Sequence, residues 1–485
     1  MSETPDQPRG DAEPPALADE TRWYAEHAAL LISTVKWAFL GAVAGVCVGA
    51  ATRGFLWSLA ASAQATRRLL SGGIPFYALL PLALPLCVWL IRRFAPTAKG
   101  HGTEAVIAAI HQRSGRIDWR VAPVKLAATV VTIASGGSVG KEGPCAQIGA
   151  ALTSLFADLL RLSDEDRRRL VICGIGAGFA AVFGTPISGA LFGIEVLYLG
   201  RIEYEVLFPC LIAGIVSHLV CGVAPPVAAL HESLGTLGQT TLVGLSVGAG
   251  VVYGLMALLL IESMRLLERL LRRYEDHPYR IAFGGAVVLC AFYAVAGDAY
   301  AGLGVTSIDA ALAGSAAVAT YAFAAKIFAT SVTLETGGSG GIVTPIFFVG
   351  ATGGAALARL TGLPVGAFAA FGFVAVLAAA ANTPLAAAVM GMELLPGPVG
   401  VYAALCGGTA YLIVGHRSVY ASQKLGFSKS AGLDVRLDVP IGEIDRRAVR
   451  VRPGSLTDRA LRLGRGARPE MRGPGRDGGE GRPPG

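Results

Sequence analysis

Long apolar segments separated by short polar loops run from about residue 28 to residue 414. Their apolar residues form continuous runs rather than the alternation typical of membrane β-strands, and this pattern predicts helices. Residues 28–59 exceed one perpendicular bilayer crossing, which predicts a strongly tilted helix or one that continues beyond the bilayer. Residues 121–133 are too short to cross as one helix. The pattern therefore predicts an all-α integral membrane protein with many tilted and broken helices.

Composition supports a membrane protein. Apolar residues make up 53% of the chain and charged residues only 15%, too few to cover a water-facing surface. The 64 glycines indicate closely packed helices. The eight cysteines stand singly in apolar segments, without metal-ligand spacing, so we infer neither disulfides nor a metal site, and no cofactor.

The polar ends define the expected domain boundaries. Residues 1–22 predict a disordered cytoplasmic arm without an apolar signal-peptide core, and residues 23–425 form the transmembrane domain. Residues 426–485 predict a largely disordered cytoplasmic tail, too short for a complete regulatory domain. Basic loops mark the cytoplasmic side of membrane proteins, so we read the net charge of +7 as a topology signal and expect no nucleic acid. Both termini are expected in the cytoplasm of a multi-pass protein of the cell membrane.

An internal repeat relates two halves, roughly residues 28–223 and 242–423. At an offset of 201, residues 125–150 and 326–351 are identical at 12 of 26 positions without a gap. Residues 184–197 match residues 382–395 at an offset of 198. Matching segments interrupted by glycine and proline predict a transport site at the interface of the two halves.

The repeat contains two glycine-rich loops, GGSVGKEGP (136–144) and GGSGGIVTP (337–345). We call them the first and second entrances, because each is expected to lead into the N-terminus of a helix that begins inside the membrane. The free N–H groups and the dipole of such a helix end attract an anion. Two facing entrances predict an anion site that needs no full positive charge.

Glu142 lies in the first entrance. Its carboxylate is itself an anion and can occupy the site until it is protonated or moves aside. A buried glutamate in a membrane is expensive unless it is functional or paired. The alternative is an ion pair with a nearby basic residue or a loop at the membrane surface.

Five motifs, in order, resemble the CLC family of chloride channels and chloride/proton antiporters. They are KGHGTEAVIAAI (99–110), GGSVGKEGP, GTPISGALFGIEVL (184–197) with NTPLAAAVMGMELL (382–395), GGSGGIVTP, and HRSVYASQ (416–423). The resemblance implies two inverted-topology halves enclosing one pore per subunit in a homodimer with two separate pores. It also implies transport of chloride or a similar small monovalent anion, with protons as a further candidate.

The resemblance also implies roles for single residues. Glu142 matches the gating glutamate, and Tyr420 matches the tyrosine whose hydroxyl donates to the central anion. Ile342 and Val343 match residues whose backbone amides face that anion, and His101 stands where the family usually has a pore serine. The backbone near Glu142 belongs to the first anion loop, namely Gly140, Lys141 and Gly143.

Three departures affect the anion site. Lys141 replaces the usual arginine, which keeps the charge but loses the planar fork. Val343 replaces an aromatic that narrows the pore, so the constriction is expected to be wider. His101 could bind the anion in a pH-dependent way or simply face a loop carbonyl. The family's usual proline is missing at Thr103-Glu104, which leaves the register there open by one residue.

A fourth departure concerns proton coupling. Antiporters of the family carry an inner proton glutamate at the position of Val196, and valine cannot relay a proton. The sequence therefore favours an uncoupled, voltage-gated-type chloride channel, with an antiporter using a non-standard proton path as the alternative. Glu195 has a repeat mate in Glu393, which favours a structural role, capping or pairing within each half.

An enzyme is the remote alternative. Ser138 lies in a G-x-S-x-G sequence typical of serine hydrolases, with His218 and His231 as candidate bases. The same sequence recurs at residues 337–341, as the symmetry of a helix entrance predicts and as a catalytic serine would not require. We therefore expect a transport protein rather than an enzyme.

Overall fold

The fold is described from a computed structural model of the protein. The structure describes residues 19–70, 73–223, 234, 237–444 and 449–464. The predicted disordered arm therefore lies largely outside the described residues, as do His231 and the last part of the tail.

In the described part of the first half the α-helices are α1 Asp19–Leu69, α2 Leu80–Phe94, α3 Thr103–Arg113, α4 Val121–Ala134, α5 Glu142–Leu159, α6 Asp164–Phe183, α7 Pro186–Glu195 and α8 Leu207–Cys221. The second half contains α9 Gln239–Leu271, α10 Pro278–Ala296, α11 Val305–Leu312, α12 Ala322–Glu335, α13 Val343–Thr361, α14 Val365–Ala380, α15 Pro384–Leu394 and α16 Val399–Ile413. The order of long and short helices is the same in both halves, as the sequence repeat predicts.

Helix lengths agree with the apolar pattern. Helix α1 has 51 residues, which at 1.5 Å per residue is about 76 Å, well beyond a hydrocarbon core of about 30 Å. Helix α4 has only 14 residues. Six helices in the described part of the chain are long and apolar enough to span a membrane. The predicted all-α membrane fold is confirmed.

Equivalent glycines bring the helices of each half together. A Cβ on Gly149 of α5 would lie 2.3 Å from the Gly174 carbonyl oxygen of α6. In the second half, a Cβ on Gly350 of α13 would lie 2.1 Å from the Gly372 carbonyl oxygen of α14. Only glycine permits this approach, because any side chain would overlap the facing backbone.

The chain after α16 is ordered where the structure describes it, unlike the largely disordered tail that we predicted. Strand β2 (Lys424–Leu425) pairs in parallel with β1 (Tyr198–Leu199), and β3 (Leu433–Asp434) pairs antiparallel with β4 (Arg450–Val451) before helix α17 (Leu456–Gly464). Leu199, Leu425 and Ile441 form a small buried cluster. This cluster packs residues after 425 onto the membrane domain, which short-range sequence patterns could not reveal. We call the side of the protein that carries residues 424–464 the C-terminal face.

Candidate anion site

The two entrances meet in the middle of the protein. The Gly140 amide donates to the Gly341 carbonyl (2.7 Å), and the Gly341 amide donates to the Gly140 carbonyl (2.6 Å). Helices α5 and α13 begin directly after this pair. The repeat interface therefore places two helix N-termini side by side, with their free N–H groups and partial positive charge in one place.

Glu142 is the first residue of α5, but its carboxylate binds the start of α13. Oε2 accepts from the Thr344 amide (3.1 Å) and Oε1 from the Thr344 hydroxyl (2.5 Å). The Glu142 residue is 1% exposed and forms no ion pair with a described basic residue. Both structural alternatives, a surface loop and an ion pair with a basic neighbour, are therefore wrong. The carboxylate occupies the second entrance as an anion would.

Thr344 was missed by sequence reasoning. It is buried in the first turn of α13 and supplies two donors to Glu142. In the repeat alignment Thr344 stands opposite Gly143. The presence of a hydroxyl in only one of the two entrances could have identified Thr344 as a partner of Glu142.

Ile342 and Val343 lie at the start of the second entrance helix. Ile342 precedes α13, Val343 is its first residue, and both are buried. Their amides donate to no acceptor among the described residues. They are therefore available to a bound anion next to the Glu142 carboxylate.

Lys141 and Gly143 complete the first anion loop. Lys141 directly precedes α5 and is partly exposed, whereas Gly143 lies in its first turn. A Cβ on Gly143 would lie 2.1 Å from the His101 carbonyl oxygen and 3.0 Å from Gly341 Cα. The loop that carries His101 is thus held against both entrances.

Tyr420 and His101 lie together beside this loop. Their ring centroids are 6.3 Å apart. Neither the Tyr420 hydroxyl nor His101 Nδ1 has a hydrogen-bond partner among the described residues, although both atoms are buried. His101 Nδ1 therefore does not donate to a described loop carbonyl, which was the alternative to anion binding. Unsatisfied buried polar atoms are rare and point to a ligand or water.

Lys125 holds the loop that carries His101. It is fully buried, and its Nζ donates to the carbonyls of Ala98 (3.2 Å) and Gly100 (2.5 Å). These contacts end one residue before His101. The lysine Nζ thereby fixes the backbone that faces α5.

The two equivalent glutamates of the repeat cap helices across the interface. Glu195 accepts from the amides of Leu385 (3.0 Å) and Ala386 (2.7 Å) at the start of α15. Glu393 accepts from the amides of Ile187 (3.0 Å) and Ser188 (2.9 Å) at the start of α7. The capping role that we predicted is present, but it joins the two halves and does not act within each half.

Val196 is fully buried, and its carbonyl accepts from Gln423 Nε2 (2.9 Å). No titratable group stands at this position.

Ser138 is not placed as a nucleophile. Its hydroxyl bonds to the Thr330 hydroxyl (3.0 Å), and its amide donates to the Thr333 hydroxyl (3.0 Å). Its repeat mate Ser339 bonds in the same way to hydroxyls of α4, from Thr129 (3.2 Å) and Thr132 (3.0 Å). No described histidine bonds to Ser138, so the serine joins the halves and the hydrolase alternative is unsupported.

Comparisons with known proteins agree with this geometry. Residues 82–415 match the family model described as voltage gated chloride channel. A protein of Pseudomonas syringae pv. tomato (strain ATCC BAA-871 / DC3000) named "Chloride/fluoride channel protein" is 39% identical over 409 residues, which are 82% of this chain and 89% of the relative.

Solved structures show the same fold. One is described as a CLC-type fluoride/proton antiporter and matches with a TM-score of 0.74 and 27% identity, over 81% of this chain and 98% of its own. Another, a slow cyanobacterial Cl−/H+ antiporter, matches with a TM-score of 0.67 and 20% identity over 78% of this chain and 94% of its own. This chain therefore belongs to the CLC, or voltage-gated chloride channel, family of anion-transporting membrane proteins.

Proposed function

We propose that this chain exchanges fluoride for protons across a membrane. Two comparisons support fluoride: the 39% identical relative is named a chloride/fluoride channel protein, and the 27% identical structure is that of a fluoride/proton antiporter. Each match spans more than four-fifths of this chain. The second comparison also supports coupling to protons.

The observation that carries the proposal is the position of Glu142. As a carboxylate it takes both Thr344 donors at the start of α13. Protonation removes its charge, which weakens its hold on the helix end and leaves the donors to an incoming anion. The departing Glu142 carries its proton, and the arriving anion replaces its charge. The Glu142 carboxylate and the anion thus exclude each other at one helix end, so the anion enters only when Glu142 is protonated, and this links anion movement to proton movement.

The donors of the site suit a small, strongly hydrated anion. Such an ion loses a large hydration energy on entry and needs several close hydrogen-bond donors in return. The amides of Ile342 and Val343, the Thr344 hydroxyl and the Tyr420 hydroxyl are candidates for this role. A cradle made of neutral donors also releases the ion more readily than a full positive charge would.

An uncoupled anion channel is the second candidate. The buried valine at position 196 favours it, because an apolar side chain cannot pass protons to the gate. In that case Glu142 still opens the site, but the number of protons that move bears no fixed relation to the number of anions.

The assembly and location follow the family resemblance. We propose a homodimer with one pore in each subunit, residing in the cell membrane with both termini in the cytoplasm. Single cysteines placed on the C-terminal face of the protein and labelled in intact cells test the orientation in the membrane. The mass of the purified protein in detergent tests the homodimer.

Fluoride preference is tested by anion efflux. Purified protein in liposomes loaded with fluoride, chloride or nitrate is followed with ion-selective electrodes. The proposal predicts that fluoride leaves faster than chloride and nitrate. Equal rates for fluoride and chloride would contradict the preference, and no flux of any monovalent anion would contradict transport itself.

A further inference from the structure

Proton exchange requires a route between the C-terminal face and Glu142. Val196 puts an apolar side chain at the position of the proton glutamate that the family resemblance implies, so another titratable group or a chain of water has to connect bulk water with the anion site. The following inference rests on the proposed exchange and concerns Glu104, which is three residues after His101.

The Glu104 carboxylate is only partly satisfied. Its Oε1 accepts from the Ser422 amide (2.9 Å) and the Ser422 hydroxyl (2.6 Å). Its Oε2 is buried and forms no hydrogen bond of normal geometry with the described residues, although the Ala421 amide lies near the carboxylate. A residue that only anchored a loop would be expected to use both oxygens, because an unpaired buried oxygen is costly.

Glu104 has access to the C-terminal face through charged neighbours. It interacts electrostatically with Glu268 near the end of α9, which is exposed. Glu268 also interacts with Glu335, and Glu335 in turn with the exposed Lys99. Glu104 itself is only partly buried, and its partner Ser422 lies two residues before β2 on the C-terminal face. Protons from water on that face can therefore reach the Glu104 carboxylate.

Glu104 lies close to Tyr420, because its Oε1 binds Ser422, which is two residues after Tyr420. Tyr420 interacts electrostatically with both Glu104 and Glu142. Its residue is 1% exposed, and its buried hydroxyl lies near Thr103 without a hydrogen bond of normal geometry to any described residue. A phenol hydroxyl accepts one proton while it donates another, so it transmits a proton without a net change in its own charge.

Glu104 has no charged equivalent in the second half. The second half holds its equivalent loop through Lys326, whose Nζ donates to the carbonyls of Tyr300 (3.1 Å) and Gly302 (2.8 Å). Lys125 makes the same two contacts in the first half, with the carbonyls of Ala98 and Gly100. The two loops therefore align at an offset of 202 positions. Glu104 is thereby equivalent to Thr306, which is uncharged. A glutamate required only to build the loop would be expected in both halves.

We propose that Glu104 transfers protons between the C-terminal face and Glu142. Its carboxylate takes up a proton from water on the C-terminal face. The proton passes to the Tyr420 oxygen, directly or through water, as the hydroxyl proton of Tyr420 moves on to the Glu142 carboxylate. Glu104 then returns to the charged form, Tyr420 is unchanged, and Glu142 is neutral.

The test compares Glu104→Gln with the parent in liposomes, with fluoride and pH measured on the same sample. Glutamine keeps an oxygen that accepts from Ser422 but cannot carry a proton. Positioned proton-transfer groups contribute roughly 10²–10⁴-fold to rates, so we expect proton transport to fall by at least about tenfold. Fluoride flux should fall less, so the proton-to-fluoride ratio decreases. Glu275→Gln, an exposed carboxylate shortly after α9, is the matched control and should keep the parent ratio.

Two further variants separate proton transfer from anchoring. Ser422→Ala removes one donor but keeps the carboxyl group, so it should slow flux without changing the ratio. Glu104→Asp keeps a titratable group and should retain coupling at a lower rate, which covers the case that glutamine disturbs folding. If Glu104→Gln has the parent ratio and rate, Glu104 is not the proton-transfer residue, although the exchange stands. If the parent itself moves fluoride without protons, the exchange and the role of Glu104 both fail, and this is visible before any variant is made.

Discussion

The helix pair α7 and α15 and the two entrances are built by the same repeat, but they use it differently. In the helix pair, Glu195 and Glu393 cap each other's helices with matched contacts. At the entrances, Glu142 stands opposite Val343 and Gly143 opposite Thr344 in the repeat alignment. Residues shared by the halves hold them together, whereas residues that differ supply the gate and its binding partner.

The largest effect is expected at the gate. Glu142→Gln mimics the protonated side chain, so it should remove most of the pH dependence of anion flux and lower proton transport by about 10²-fold or more. Flux and pH are measured in liposomes. If flux in this variant still follows pH as in the parent, Glu142 is not the gate and His101 becomes the candidate.

The two capping glutamates, Glu195 and Glu393, should affect the stability of the protein and not its anion preference. Glu195→Gln and Glu393→Gln each remove a charge-assisted contact with two helix amides, which costs about 1.5–3 kcal/mol. The two variants should lose similar stability in thermal unfolding, with the anion preference of the parent. A variant that kept its stability but changed anion preference would place that glutamate in the transport path and break the distinction between shared and unshared residues.

A smaller effect is expected at Thr344. Thr344→Val removes the hydroxyl that serves Glu142 and then the anion, while the backbone amide remains, so fluoride flux should fall about tenfold, or about 1.4 kcal/mol. Thr344→Ser keeps the hydroxyl and should restore most of the rate. A serine variant as slow as the valine variant would contradict a role for the hydroxyl alone, because the packing of the methyl group would then be needed as well.

The smallest effect is expected at Tyr420. Tyr420→Phe removes one neutral donor and should weaken fluoride binding by about 1 kcal/mol, roughly fivefold. Tyr253→Phe is the matched control, because this buried hydroxyl donates to the Phe368 carbonyl (2.7 Å) away from the entrances. Binding is measured by calorimetry, and an unchanged affinity for Tyr420→Phe would remove Tyr420 from the site.

Much of the fold was predictable because it repeats. The entrances, the two halves and the position of Glu142 follow from glycine, proline and a duplicated pattern. The partners of Glu142 and Glu195 were not predictable, since an alignment of the halves shows which residues are equivalent but not which ones touch. Thr344 and Ser422 lie 202 and 318 positions from the carboxylates they bind.

The ordered C-terminal segment escaped prediction for a related reason. Its strands are two residues long and find their partners in other parts of the chain, such as Tyr198–Leu199 for β2. Neither propensity nor periodicity has enough residues there to give a signal.

The most direct test of the central claim is whether a fluoride gradient can drive protons uphill. Purified protein is placed in liposomes with high internal fluoride and equal pH on both sides, and external pH is followed as fluoride leaves. Exchange through Glu142 predicts that protons enter the liposomes against their developing gradient and that Glu142→Gln abolishes this movement. Fluoride efflux with no proton movement would contradict exchange and establish an uncoupled channel.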